Sequence, residues 1–150
     1  MRVCSDQARF GEVFIRRGLI PEAGGLLVLP RLVGLARAYE LILTGDIIDA
    51  KEAERIGMVN RVVPLAELRE KSLAYAKRLS LISPEALYAT KLAINRGADA
   101  AGFSNRIHIG LDVVAPLYAT KTELGQRFRD IVEAEGVPAA VRWRAAQFKE

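Results

Sequence analysis

The chain has 150 residues, a formal charge of +4 and a pI near 9.5, with 51% hydrophobic and 27% charged residues. A chain of this size is long enough to bury a core, about 68–70% of the surface its unfolded form exposes. No run approaches a membrane span, no basic tract interleaves with aromatics as nucleic-acid binders require, and the single cysteine, Cys4, excludes an intrachain disulfide. The N-terminal "MRVCSDQARF" lacks the apolar core of a signal peptide, so cytoplasm is the expected compartment. The basic residues, including Arg16-Arg17 and Arg142 with Arg144, read as solvated surface or as contacts to an anionic partner such as a phosphorylated cofactor. His108, the one histidine, stands in a helical pattern without cysteine or histidine partners and reads as a structural residue rather than a metal ligand.

In chain order, Ala8 to Gly18 predicts a short strand, with Phe10, Val13, Phe14 and Ile15 suited to a pleated, buried surface. Gly18 and Pro21 punctuate the turn that follows. "GGLLVLPRLVG" predicts an apolar helix interrupted near Pro30. The next helix carries Ala38, Leu41 and Ile42 on one face and stops at Gly45. Asp49 followed by Glu52 has capping-box spacing, in which each side chain can satisfy a free amide of a helix start. "MVNRVVP" predicts a β-branched strand ended by Pro64.

Beyond Pro64 the pattern is helical. Leu68, Ser72, Tyr75, Ala76 and Leu79 form one stripe, Ser83-Pro84 is a capping residue followed by a first-turn proline, and Phe103, Ile107, Gly110, Val114 and Leu117 keep helical spacing. Thr120 with Glu123 predicts a further capping box, and a last helix covers "VPAAVRWRAAQF". Two short strands make a poor sheet alone, so the chain reads as the second half of a larger α/β domain. Residues 1–64 form the sheet-bearing part and residues 65–150 a helical region.

The stretch Ala8 to Pro64 closely resembles the crotonase (enoyl-CoA hydratase/isomerase) superfamily. Its motifs stand in order: Phe10-Gly11, Gly18 to Pro21, Ala23 to Gly25, Leu29 to Gly34, Leu43 to Gly45, and Ala50 to Asn60. The helical remainder, including "SPEALYATKLAIN", fits more loosely. The resemblance implies the C-terminal portion of a β-β-α spiral fold with a helical trimerisation region, a trimer or hexamer, and an acyl-coenzyme A thioester as substrate. Coenzyme A enters only as part of that substrate, with no bound cofactor and no metal. It also implies that two oxyanion-hole amides and the first hydratase glutamate belong to a segment upstream of Met1. The chain alone is then expected to be without meaningful turnover.

The second hydratase glutamate falls, by this resemblance, at Phe14. If the segment is extended, Glu12 cannot replace it, because it lies about 6.5 Å of rise away. Glu22 occupies the slot before Ala23-Gly24-Gly25 where some isomerases of the superfamily carry their acid/base. One carboxylate between an apolar wall and an enolate can take a proton from one carbon and return it to another. Phe14 would line the pocket and desolvate Glu22, and Pro21, Ala23 and Gly24 would border the substrate, with Gly24 and Gly25 permitting close backbone packing. The alternative for Pro21-Glu22 is the first turn of a helix, where proline fits and a carboxylate complements the dipole. At the C-terminus Arg144 and Phe148 keep the places of a family pattern beside the coenzyme A nucleotide. Arg144 or Lys149 would meet phosphate there, and Trp143 would stack on adenine; a solvated basic helix is the plainer reading. The functional expectation is proton transfer nearer isomerisation than two-glutamate hydration, against enoyl-CoA hydratase and against a non-catalytic fragment or assembly subunit.

Overall fold

A computed structural model describes residues 1–22, 24–120 and 122–147, with only the backbone of Arg106 and Leu117. Its packing divides into two compact units, Met1–Phe10 with Ile48–Arg106, and Gly11–Ile47 with Ile107–Glu150. These units interleave in sequence, whereas the sequence reading divides the chain at 64–65 by role.

In the first unit, strand β1 (Val3–Ser5) pairs in parallel with β4 (Arg61–Val63), Cys4 opposite Val62, and β2 (Arg9–Phe10) pairs antiparallel with β3 (Ile48–Asp49). The two β-branched valines of β4 make the predicted strand; β1 and β3 carry too little pattern to be read from sequence. Side chains extend the parallel ladder. Asn60 Oδ1 accepts from Arg2 N at 2.7 Å, and Asp6 Oδ1 from Leu65 N at 3.1 Å. Helix α3 (Ala50–Arg55) starts at Asp49, whose Oδ1 accepts from Glu52 N at 2.8 Å. The Glu52 carboxylate meets Arg55 Nε at 2.6 Å. Ala50 and Ala53 are fully buried, and Val59 is nearly so. Burial raises the pKa of the Cys4 thiol, with the Glu54 charge a second cause, so it is a poor nucleophile at neutral pH. Helices α4 (Leu68–Leu79) and α5 (Pro84–Ala100) follow. On α4, Leu68, Ser72, Tyr75 and Leu79 are half-buried, but Ala76 is exposed. Ser83 Oγ caps α5 through Ala86 N at 3.1 Å.

The second unit corrects the first predicted strand. Past Phe10 the backbone leaves the sheet and forms a 3₁₀ helix, Val13–Arg17. Gly18, at φ 73°, closes it, with Gly18 N donating to Ile15 O and Leu19 N to Phe14 O. Local turn geometry here overrides the β-propensity of Val13, Phe14 and Ile15. Helix α1 (Gly25–Val33) runs through Pro30 without a break, which corrects the expected interruption. Helix α2 (Leu35–Thr44) buries Ala38, Leu41 and Ile42 and ends at Gly45. Helix α6 (Phe103–Ala119) buries Gly110 and Val114. Helix α7 (Glu123–Glu135) begins two residues later than predicted: Thr122, not Thr120, caps it, its Oγ1 accepting from Gly125 N at 3.1 Å. Thr120 instead offers its carbonyl to Thr122 N. Helix α8 (Val137–Ala146) packs against α7, where Ala139, Ala140 and Phe128 are buried; the two alanines allow the close approach.

Replacing Asp49 by Ala removes the acceptor at the α3 start. The expected loss is about 0.5–2 kcal/mol of unfolding free energy, with Asp49→Asn close to the parent, read by urea unfolding.

Candidate active site

The sequence points to the segment between the 3₁₀ helix and α1, and there the structure builds a tight turn. Glu22 N donates to Ile20 O at 3.0 Å, Gly24 N to Glu22 O at 2.7 Å, and Leu26 N to Pro21 O at 3.3 Å. Gly24 stands at φ 105°, a conformation costly for any residue with a Cβ. Gly25 answers to sterics instead: a Cβ there would lie 2.7 Å from Pro21 Cβ. Both glycines are therefore needed to fold the turn back on the buried Pro21. Helix α1 begins at Gly25, so Pro21 and Glu22 precede it and are not its first turn. Glu22 is half-buried.

Two groups meet this turn, one that sequence reasoning set aside and one that it missed. The first is Glu12, whose Oε1 would stand 3.2 Å from a Cβ at Gly25. Its carboxyl is pushed above the ordinary glutamate range by burial. The extended-strand geometry that set it apart from Phe14 does not hold, because Glu12 immediately precedes a 3₁₀ helix that contains Phe14. The second is Tyr118 of α6, whose hydroxyl donates to Glu22 Oε1 at 3.5 Å. Nothing in the sequence links residues 22 and 118; only folding brings them together.

Of the other predicted residues, Phe14 belongs to the 3₁₀ helix, with its side chain more than a third exposed. Ala23, Phe148 and Lys149 lie outside the described residues. Arg144 is turned inward: its Nε donates to the Arg16 carbonyl and its Nη1 to Gln147 Oε1 at 2.5 Å. Burial, then the like charge of Arg16, lowers its pKa. Trp143 receives the guanidinium of Arg127 on its ring, 5.7 Å from the centroid. His108 is exposed on α6. A small cleft of about 120 Å³ lies alongside, lined by Arg17, Leu19, Tyr118, Thr122, Phe128 and Arg129. Arg17 rests over the Phe128 ring at 5.0 Å, which leaves the cleft cationic with an aromatic wall. Among the described residues no group of three or more His, Cys, Asp and Glu side chains could hold a metal ion.

The enoyl-CoA hydratase/isomerase family pattern matches residues 1–126. The chain belongs to the enoyl-CoA hydratase/isomerase family. It is 37% identical over 146 residues to a probable enoyl-CoA hydratase, echA8, of Mycobacterium bovis, a match covering 97% of this chain and 52% of that protein. To the short-chain-enoyl-CoA hydratase of Clostridioides difficile it is 40% identical over 118 residues, 79% of this chain and 73% of the relative. The crystal structure of an enoyl-CoA hydratase/isomerase from Xanthobacter autotrophicus Py2 superposes with a TM-score of 0.86 at 29% identity, over 100% of this chain and 55% of that one. The chain thus carries part of the crotonase α/β fold and spans about half the length of the mycobacterial relatives it matches.

The raised Glu12 pKa has a definite sign. Folding favours the protonated carboxyl, so this group supports stability below its unfolded value, about 4.3, and that support is lost as pH rises through the folded value. Glu12→Gln removes the titration. Its stability relative to the parent is expected to increase from pH 4 upward until Glu12 is fully ionised, measured by urea unfolding at a series of pH values.

Proposed function

We propose that this chain contributes the proton-transferring carboxylate of an acyl-CoA thioester enzyme, with Glu22 as acid/base for an enolate-like intermediate and chemistry nearer double-bond isomerisation than two-glutamate hydration. The observation that carries this reading is the placement of Glu22 on a turn ahead of α1, half-buried and met by a hydroxyl donor. A helix-start carboxylate would be bound to its own backbone amides; this one is offered to a neighbour. Family membership supports the substrate class, since the relatives are called enoyl-CoA hydratases. In this reading Phe14, Pro21, Ala23 and Gly24 border the acyl group, and the α8 end, with Arg144, Phe148 and Lys149, serves the coenzyme A nucleotide. The oxyanion donors come from the family segment that precedes the matched motifs.

Glu22→Gln keeps the size and polarity of the side chain but removes its exchangeable proton. In a form of the protein that carries the oxyanion segment, turnover of 2-enoyl or 3-enoyl thioesters is expected to fall roughly 10²–10⁴-fold, with thioester binding little changed. Turnover at the parent rate would reduce Glu22 to a turn residue and favour the non-catalytic reading of the chain.

We also propose that the chain self-associates as a trimer or its double. Large apolar side chains stand in solvent on α2, on α5 and in the turn between α4 and α5: Leu35 is 63% exposed, Tyr88 69%, Ile94 66% and Leu81 85%. Surfaces of that kind find a partner or aggregate. Sedimentation at micromolar concentration is expected to give a species of three or six chains, and a well-folded monomer would refute it.

A further inference from the structure

We propose that Tyr118 is a positioning residue for the Glu22 carboxylate, an inference that rests on the acid/base reading of Glu22. Two contacts of one helix with one residue carry it. At Gly110 a Cβ would already stand 3.5 Å from the Glu22 carbonyl oxygen and 3.9 Å from its Cα, so α6 lies directly on the Glu22 backbone. Eight residues further on, about 12 Å along the axis, the Tyr118 hydroxyl reaches Glu22 Oε1 at 3.5 Å. A tyrosine on a helix leans back toward the helix N-terminus. Its long side chain therefore spans the distance from the last turn of α6 toward the point where Gly110 touches Glu22. The helix thus holds both the backbone and the acid group of the same residue.

The chemistry suits a movable proton. Tyr118 is a neutral donor, so it can orient the carboxylate without cancelling its charge, as the guanidinium of Arg17 or Arg129 in the neighbouring cleft would do. The 3.5 Å separation is at the outer edge of hydrogen bonding, and such contacts at reacting groups tighten when substrate displaces water. Pro116, two residues before Tyr118, lacks an N–H, while its carbonyl accepts from Thr120 N at 2.8 Å. That bond closes the last turn of α6. A Cβ at position 110 would be in ordinary van der Waals contact with Glu22, so the two backbones are direct neighbours.

The contact is tested on the 150-residue chain itself, without activity. 3-Fluorotyrosine placed at position 118 alone should give a fluorine resonance that moves in Glu22→Gln and stays in place in Glu85→Gln, a control on α5. A resonance indifferent to Glu22→Gln would overturn the contact. The positioning role is tested on the form carrying the oxyanion segment. Tyr118→Phe should lower kcat roughly two- to tenfold, the size of one ordinary hydrogen bond, with KM unchanged. In a Glu22→Gln background it should cost nothing further, because the hydroxyl acts only through that carboxylate. An equal loss in both backgrounds, or no loss in the parent, would overturn the proposal. Parent-rate turnover by Glu22→Gln would overturn the catalytic reading and the positioning role with it, while the fluorine result would still show separately whether the contact exists. Tyr118 is 61% exposed, so the phenylalanine variant is expected to fold as the parent does.

Discussion

The Arg16 side chain is the constraint on which the candidate site depends. It is only 16% exposed, so its charge needs partners. Its Nη2 meets Asp46 Oδ1 at 2.6 Å and its Nε donates to Thr44 O at 3.0 Å, at the C-terminal end of α2. Thr44 in turn is bonded through its hydroxyl to Glu40 O and to Asp46 N. The Arg16 carbonyl accepts from Arg144 on α8. One residue therefore fastens the 3₁₀ helix to α2 through its side chain and to α8 through its backbone. The loop that carries Glu22 starts where that 3₁₀ helix ends, so its origin is set by this clamp. Gly45 belongs to the same arrangement: a Cβ there would approach Arg16 Cγ to 3.0 Å.

From that anchored origin the turn must reverse within a few residues and enter α1. Pro21 is buried against Gly25, and Gly24 takes a conformation closed to other residues. A carboxylate in that position is held by what packs over it, and α6 is what packs over it. Glu12 stands against Gly25, partly desolvated there, and resists ionisation. The two acids of the site differ in their surroundings: Glu12 stands against Gly25 with its pKa raised, and Glu22 meets a hydroxyl.

The same distinction separates conserving a fold from performing a reaction. Asn60, part of the run that identifies the family, clamps β1 to β4 through Arg2. Arg144, placed by resemblance near a nucleotide, also ties α8 to the Arg16 carbonyl and bonds Gln147. Residues that match a family pattern can owe their place to packing. The turn around Glu22 is different, because its glycines answer to the backbone while its acid, among the described residues, meets a distant hydroxyl.

Local signals were legible without coordinates. The α2 face of Ala38, Leu41 and Ile42, the Asp49 and Ser83 caps, the β4 valines and the ordered motifs from Phe10 to Asn60 depend on residues within a few positions of one another, which is the range over which periodicity and capping act. Those motifs also identified the family and singled out Glu22. What sequence could not decide was set by partners far along the chain. Val13 to Ile15 have strand-forming side chains but coil into a 3₁₀ helix held by Arg16's contacts with residues 44, 46 and 144. Strand β1 exists because β4, more than fifty residues later, pairs with it. The meeting of Glu22 with Tyr118 spans ninety-six residues and has no local signature, since a hydroxyl finds a carboxylate through the packing of a helix and not through spacing in sequence.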